Sequence, residues 1–193
     1  MNLVGPTALF AAPLAVGGLS TVLSKPSDET VQQYYAKIRQ GIPFMPPAQV
    51  FGPVWTLLYT LMGISIVLLV MAFRAQQQQL AMISAGTGAA SSMGLSLRSN
   101  PLFVAAVGLF AIQLMLNFMW SIFFFRLKNA SMALGILIAL DVVVAITTVL
   151  FFKLKPLSGA LLIPYLAWIL FATYLNVSIV RKMKATTAET KQK

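Results

Sequence analysis

The chain has no cysteine and no histidine, and only four acidic residues among 193. Each shortage removes a class of chemistry. Without cysteine there is no disulfide and no thiolate nucleophile. Without histidine, and with so few carboxylates, a zinc or haem-ligand site of the usual kind is nearly excluded. Charge is scarce altogether: 9% of residues are charged, against about 25% in water-soluble domains. The space is taken by hydrophobic residues, at 59%, and mean hydropathy is +0.84. That composition belongs to the membrane class. The net charge of +10 does not point to nucleic acid. The basic residues lie scattered in short segments between apolar runs, as they do at the flanks of membrane spans.

Five apolar runs are present, at about 3–23, 50–73, 101–125, 130–152 and 157–180. From Val50 to Phe73 no residue is charged over 24 positions, more than the ~20 needed to cross a bilayer core. The fold class expected is all-α: a single domain, 1–180, made of a bundle of five transmembrane helices. The first run reads as a span and not a signal peptide, because no basic residue precedes Lys25. Pro13 reads as a kink, and the pair Gly17-Gly18 as a point of close helix approach. In the second span Pro53 implies a kink or a late helix start.

Between the spans, residues 24–45 are polar and mixed. Val31 to Gln40 fits a short amphipathic helix at the interface, and the segment is a candidate lid. The insert 74–100, with Gln76 to Gln79 and many Gly and Ser, reads as a flexible loop with a frayed extension of the second span. The tail 181–193 reads as basic and disordered.

Basic residues are unequally shared. Arg74, Arg98, Lys153 and Lys155 fall on the N-terminal side of the bundle. Lys25, Lys37, Arg39, Arg126, Lys128, Arg181, Lys182, Lys184, Lys191 and Lys193 fall on the other. The positive-inside rule then puts the C-terminus in the cytosol.

Two faces mix amides with aromatics. Gln113, Asn117, Trp120 and Phe124 share one face of the third span. Tyr165, Trp168, Ala172 and Asn176 share one face of the fifth. Amides are costly in hydrocarbon and turn toward the bundle. Two readings stand for these faces: amides that pair helices, or a cavity with ring walls and a few orienting amides in the cytosolic half. For Trp55 and Trp120 a headgroup belt is a further alternative, whereas Trp168 lies too deep for one. In the second span Trp55 and Tyr59 are followed by Met62 and Gly63. An aromatic face followed by a gap reads as a wall for something flat. Asp141 is the only charge inside an apolar run, with no partner evident in the sequence.

Three motifs together resemble the translocator protein (TspO) family. They are Pro46-Pro47 with Val50-Phe51-Gly52-Pro53-Val54-Trp55-Thr56-Leu57-Leu58-Tyr59; Gln113-Leu114 with Leu116-Asn117, Trp120-Ser121 and Phe124-Phe125; and Pro164-Tyr165-Leu166-Ala167-Trp168 with Phe171-Ala172 and Leu175-Asn176. The resemblance implies a five-helix bundle, often a homodimer, that binds protoporphyrin IX and other tetrapyrroles, sterols and benzodiazepine-type ligands. It implies a pocket opening on the cytosolic side. Ligand-binding residues expected from the faces and the resemblance together are Phe51, Trp55, Tyr59, Asn117, Trp120, Phe124, Trp168, Ala172, Leu175 and Asn176. No metal or cofactor is expected; a porphyrin would be a ligand. Trp55 and Trp168 match tryptophans implicated in porphyrin breakdown by some bacterial members, although the chain holds no nucleophile–base constellation. Lys37 or Arg39 would meet propionates. The membrane implied is the mitochondrial outer membrane or another organelle membrane.

The chain departs from the family pattern in places. Tyr34-Tyr35 stands where Trp-Tyr is usual, Phe44 replaces a loop tryptophan, and Gln49 stands where an aromatic is common. The insert 74–100 is unusually long, and the C-terminal sterol pattern fails, with six residues between Tyr174 and Arg181. Ala105, Gly108 and Ala111 form a small-residue strip that fits either a dimer contact or packing within the bundle.

Overall fold

The computed structural model describes residues 4–24, 28–40, 42, 44–87 and 100–191. Helix α1 spans Val4–Ser24, α2 Glu29–Arg39, α3 Phe51–Thr87, α4 Pro101–Ser121, α5 Ala130–Leu154 and α6 Pro156–Lys191. No strand occurs among the described residues. Five helices, all but α2, are long and apolar enough to cross a membrane. The protein is an integral membrane protein built as a five-helix bundle.

The bundle is apolar outside as well as inside. Leu57, Val104, Ile112, Met115, Ile138, Val142 and Leu170 are exposed, which is stable only against lipid. Inside, α1 lies on α3, α3 on α6, and α5 between α4 and α6. The amides of the two mixed faces turn inward: Gln113, Asn117 and Asn176 are each at most 1% exposed.

Local signals set the helix ends. Asp28 caps α2 by accepting from the Thr30 N–H at 2.9 Å, and Asn100 caps α4 through the N–H groups of Leu102 and Phe103. A 3₁₀ turn, Ala48–Val50, leads into α3. Pro53 therefore sits in the first turn of α3, where its missing N–H costs nothing, and the late start is the outcome.

Two expectations are revised. The expected disordered tail continues α6 as helix to Lys191. Extending an existing helix needs no new nucleus, and its Lys, Ala and Glu are good helix formers. The extension of the second span likewise runs to Thr87, 14 residues beyond Phe73, because Ala75 to Ala81 carries no Gly or Pro to stop it. Residues 88–99 of the expected loop lie outside the described residues.

Glycines mark where helices touch. A Cβ on Gly63 would lie 2.6 Å from the Phe10 carbonyl oxygen of α1. The gap after Tyr59 is thus filled by another helix and does not wall a pocket. Gly17 admits the ring of Tyr59, which a side chain there would strike, whereas Gly18 faces open space. Ala105, Gly108 and Ala111 are all exposed on the outside of the bundle.

Candidate functional site

At the α2 end of the bundle a cavity is lined by Tyr35, Met45, Phe51, Trp120, Phe124, Phe125, Ala172, Leu175, Asn176 and Ile179. Four elements build it: α2 with the segment after it, the start of α3, the end of α4, and the last membrane-embedded turns of α6. The cavity has a volume of about 20 Å³, room for roughly one water.

Of the ten residues the sequence singles out, Phe51, Trp120, Phe124, Ala172, Leu175 and Asn176 stand on this wall. Trp55, Tyr59, Asn117 and Trp168 stand behind it. Trp55 stacks on Tyr59 at 5.4 Å and lies 6.1 Å from Trp120. Trp168 meets Phe51 edge-on at 5.8 Å. Trp120 continues the series, stacking on Phe124 at 5.4 Å, and Tyr34 meets Phe124 edge-on at 6.3 Å. Aromatic rings thus run without a break from α2 to the bundle centre.

Below the rings lies a polar knot. The Tyr59 hydroxyl donates to Asn117 Oδ1 at 2.6 Å, and Asn117 Nδ2 donates to the Tyr165 hydroxyl at 3.2 Å. Asn117 therefore ties α3, α4 and α6 together, as the helix-pairing reading expects. Asn176 is also committed to the fold. In the amide orientation that satisfies both of its polar atoms, it donates to the Ala130 carbonyl at 3.0 Å and accepts from the Leu134 N–H at 3.2 Å. It presents side-chain surface to the cavity while its amide holds the first turn of α5. Asp141, without an evident partner in the sequence, accepts from the Thr173 hydroxyl of α6 at 2.8 Å.

Three buried donors near the cavity meet no acceptor among the described residues: Tyr34 OH, Trp120 Nε1 and Trp168 Nε1. Buried donors without partners are uncommon and destabilising. A bound molecule carrying acceptors would satisfy them.

Helix α2 and the described residues after it cover the cavity. Tyr35 and Ile38 of α2, with Ile42 and Met45 after it, are buried. The Tyr35 hydroxyl donates to the Pro46 carbonyl at 2.7 Å, and its ring meets Phe51 at 5.8 Å. Burial pushes the Tyr35 phenol up to about 12, and Arg39 nearby lowers it slightly. Burial also raises the Tyr34 phenol. Lys37 and Arg39 lie on the exposed side of α2, away from the wall.

Four wall residues were not singled out from the sequence: Tyr35, Met45, Phe125 and Ile179. Ile179 follows Asn176 by three and Ala172 by seven, so helical spacing alone would have found it. Phe125 follows a different rule. Residues Ile122–Arg126 form a π-turn, whose wider winding turns each residue through less than the ~100° of an α-helix. Both Phe124 and Phe125 thereby reach one wall.

The five-helix bundle is the fold that the three motifs imply, and comparison with known proteins agrees. The family model described as TspO/MBR matches residues 9–181. A tryptophan-rich protein TspO of Archaeoglobus fulgidus is 36% identical over 179 residues, covering 93% of this chain and 97% of that protein. The translocator protein of Homo sapiens is 32% identical over 136 residues, covering 70% and 67%. A tryptophan-rich sensory protein of Cereibacter sphaeroides is 32% identical over 136 residues, covering 70% and 68%. With motifs, fold and near full-length similarity in accord, the chain belongs to the TspO/MBR family.

Proposed function

We propose that this protein binds protoporphyrin IX and related flat hydrophobic ligands in the cavity beneath α2, and transports or scavenges them. The observation that carries this reading is the unbroken ring series from Tyr34 through Phe124 and Trp120 to Trp55. Stacked rings beside an apolar cavity favour planar partners. Burying such a ligand contributes about 25 cal/mol per Å² of apolar area, and the unpartnered Trp120 and Trp168 donors offer bonds to its acceptors. Pockets for ligands of this kind are about 300–1,000 Å³, so the cavity must widen on binding, and α2 is the lid that yields. In this reading α2 and the C-terminus face the cytosol, and the basic residues outside the wall guide propionates to the mouth. The exposed strip Ala105, Gly108 and Ala111 would serve a homodimer.

The test is a titration with protoporphyrin IX, following tryptophan quenching in the dark and then under light. Saturable quenching is expected, weakened at least severalfold in Trp168→Ala. No saturable quenching would sink the porphyrin reading and leave a sterol as the next ligand to try. A second reading, light- or oxygen-dependent breakdown of the bound porphyrin, is favoured by the contact of Trp55 with Trp120 and with Tyr165, at 6.1 and 6.3 Å. These rings could relay oxidation away from the cavity. It predicts a new chromophore on illumination, lost in Trp55→Phe; simple bleaching would count against it.

A further inference from the structure

The end of α4 passes into a π-turn, the one such turn among the described residues. The Leu127 N–H donates to the Ile122 carbonyl at 2.9 Å, five residues back, and the Asn129 N–H to the Phe123 carbonyl at 2.9 Å. Lys128 closes this turn in the left-handed region, at φ 52°, a conformation that costs a side-chain-bearing residue roughly 1 kcal/mol. The turn keeps its hydrogen bonds, but a lysine stands at the left-handed position where a glycine is usual. Such turns inside helices recur at functional sites.

The turn changes what the cavity is made of. On α-helical phase, Gln113, Asn117, Trp120 and Phe124 share a face, and Phe125 would lie ~100° off it, beside the cavity. In the π-turn Phe125 joins the wall. Its ring sits edge-on to Phe124 at 5.0 Å and to Trp120 at 5.8 Å. Phe125 is only half-buried, so it has somewhere to go. Phe124, Trp120 and Ala172 are packed into the core and do not.

We propose that Phe125, carried into the wall by the π-turn Ile122–Arg126, sets the size of ligand that the cavity admits. The ring occupies space that a large planar molecule must take, and that a small one does not need. The inference rests on the cavity's being the ligand site. Its test therefore includes a measurement that needs no physiological ligand.

The first measurement is xenon bound under pressure to crystals of the ligand-free protein. Apolar cavities too large for their side chains take up xenon. A xenon atom is expected among Phe51, Trp120, Phe124 and Leu175 in Phe125→Ala, and none there in the unsubstituted protein or in Phe123→Ala, whose ring is not on the wall. Xenon absent from Phe125→Ala, or equal in Phe123→Ala, overturns the proposal. Phe125→Leu gives a milder enlargement should the alanine variant fail to fold.

The second measurement compares protoporphyrin IX with 2-naphthoic acid by tryptophan quenching. Removing the ring from the space the porphyrin must take is expected to tighten protoporphyrin IX about tenfold in Phe125→Ala, with less than about twofold change for the two-ring acid. Equal changes for both probes, or weaker binding of the porphyrin, overturn the size role. If neither form quenches saturably with porphyrin while xenon enters only Phe125→Ala, the porphyrin reading falls and Phe125 still stands as the residue limiting the cavity.

Discussion

The two ends of the bundle are built on different rules. The end away from α2 is regular. Gly63 receives the α1 backbone at Phe10, and Gly159 receives Phe152 where α5 turns into α6. Phe73 stacks on Phe103 at 3.8 Å and Phe110 on Phe151 at 5.7 Å. Val144, Phe151 and Leu162 are almost wholly buried. The α2 end is irregular. It has a π-turn, two side-chain-bearing residues at positive φ, Phe44 and Lys128, three donors without partners, and a small cavity. The regular half supplies stability by close packing, although the Ser158 hydroxyl there meets no partner among the described residues; the irregular half holds the backbone strain, the cavity and three unpartnered donors. Local irregularity of this kind persists only where the surrounding structure holds it in place, and it gathers at ligand sites. Asn117, bonded to Tyr59 and Tyr165, stands where the two rules meet.

The comparison is broken most severely by filling the closest helix contact. Gly63→Leu should destabilise by about 3 kcal/mol, the upper part of the usual overpacking range, because the obstructing atom is backbone and cannot rotate away. Thermal unfolding in detergent measures it, and a loss well under 1 kcal/mol would mean that α1 is not held firmly against α3. Next in size is the junction. Asn117→Ala leaves the Tyr59 and Tyr165 hydroxyls without their shared partner, at about 1–2 kcal/mol. Tyr59→Phe in the same background should then recover part of the loss, since it removes one stranded hydroxyl. Additive losses would contradict the network.

The smallest effect belongs to the lid. The Tyr35 phenol is raised from 10.0 to about 12. A group whose pKa is raised on folding contributes stability fully below its unfolded value, and that contribution is lost as pH rises through the folded value. Docking of α2 should therefore hold up to pH 10 and weaken between 10 and about 12. Proteolysis between α2 and α3 reports the release, and Tyr35→Phe should reduce this pH dependence, with Tyr34→Phe, whose phenol is also raised by burial, removing the rest. A double phenylalanine variant that opens over the same interval would assign the release to another group.

Much of the site is legible in the residues alone. The face Gln113, Asn117, Trp120 and Phe124 follows from helical spacing and from the cost of amides in hydrocarbon. All four residues are buried. Spacing does not tell which members of a face touch the cavity and which touch the next helix. Trp55 and Trp120 look alike in sequence, one tryptophan in each span, yet Trp120 is wall and Trp55 stands behind it. Asn117 and Asn176 look alike too, and each is bonded to neighbouring helices. Phe125 is hidden because periodicity assumes a constant 3.6-residue turn, and the π-turn breaks that assumption. Tyr35 and Met45 are hidden because the amphipathic pattern of α2 says that one face is covered and not which part of the bundle it covers.

What the sequence by itself determined is the class: five spans, an all-helical bundle and inward-turned amides. These follow from the length of each apolar run and from the cost of polar groups in lipid, both readable within one helix. Tertiary structure alone decided that α1 fills the gap at Gly63, that Thr173 answers Asp141, that α2 closes over the cavity, and that Phe125 joins its wall. Each of these depends on the rotation and approach of helices far apart in the chain, and no single segment encodes that geometry.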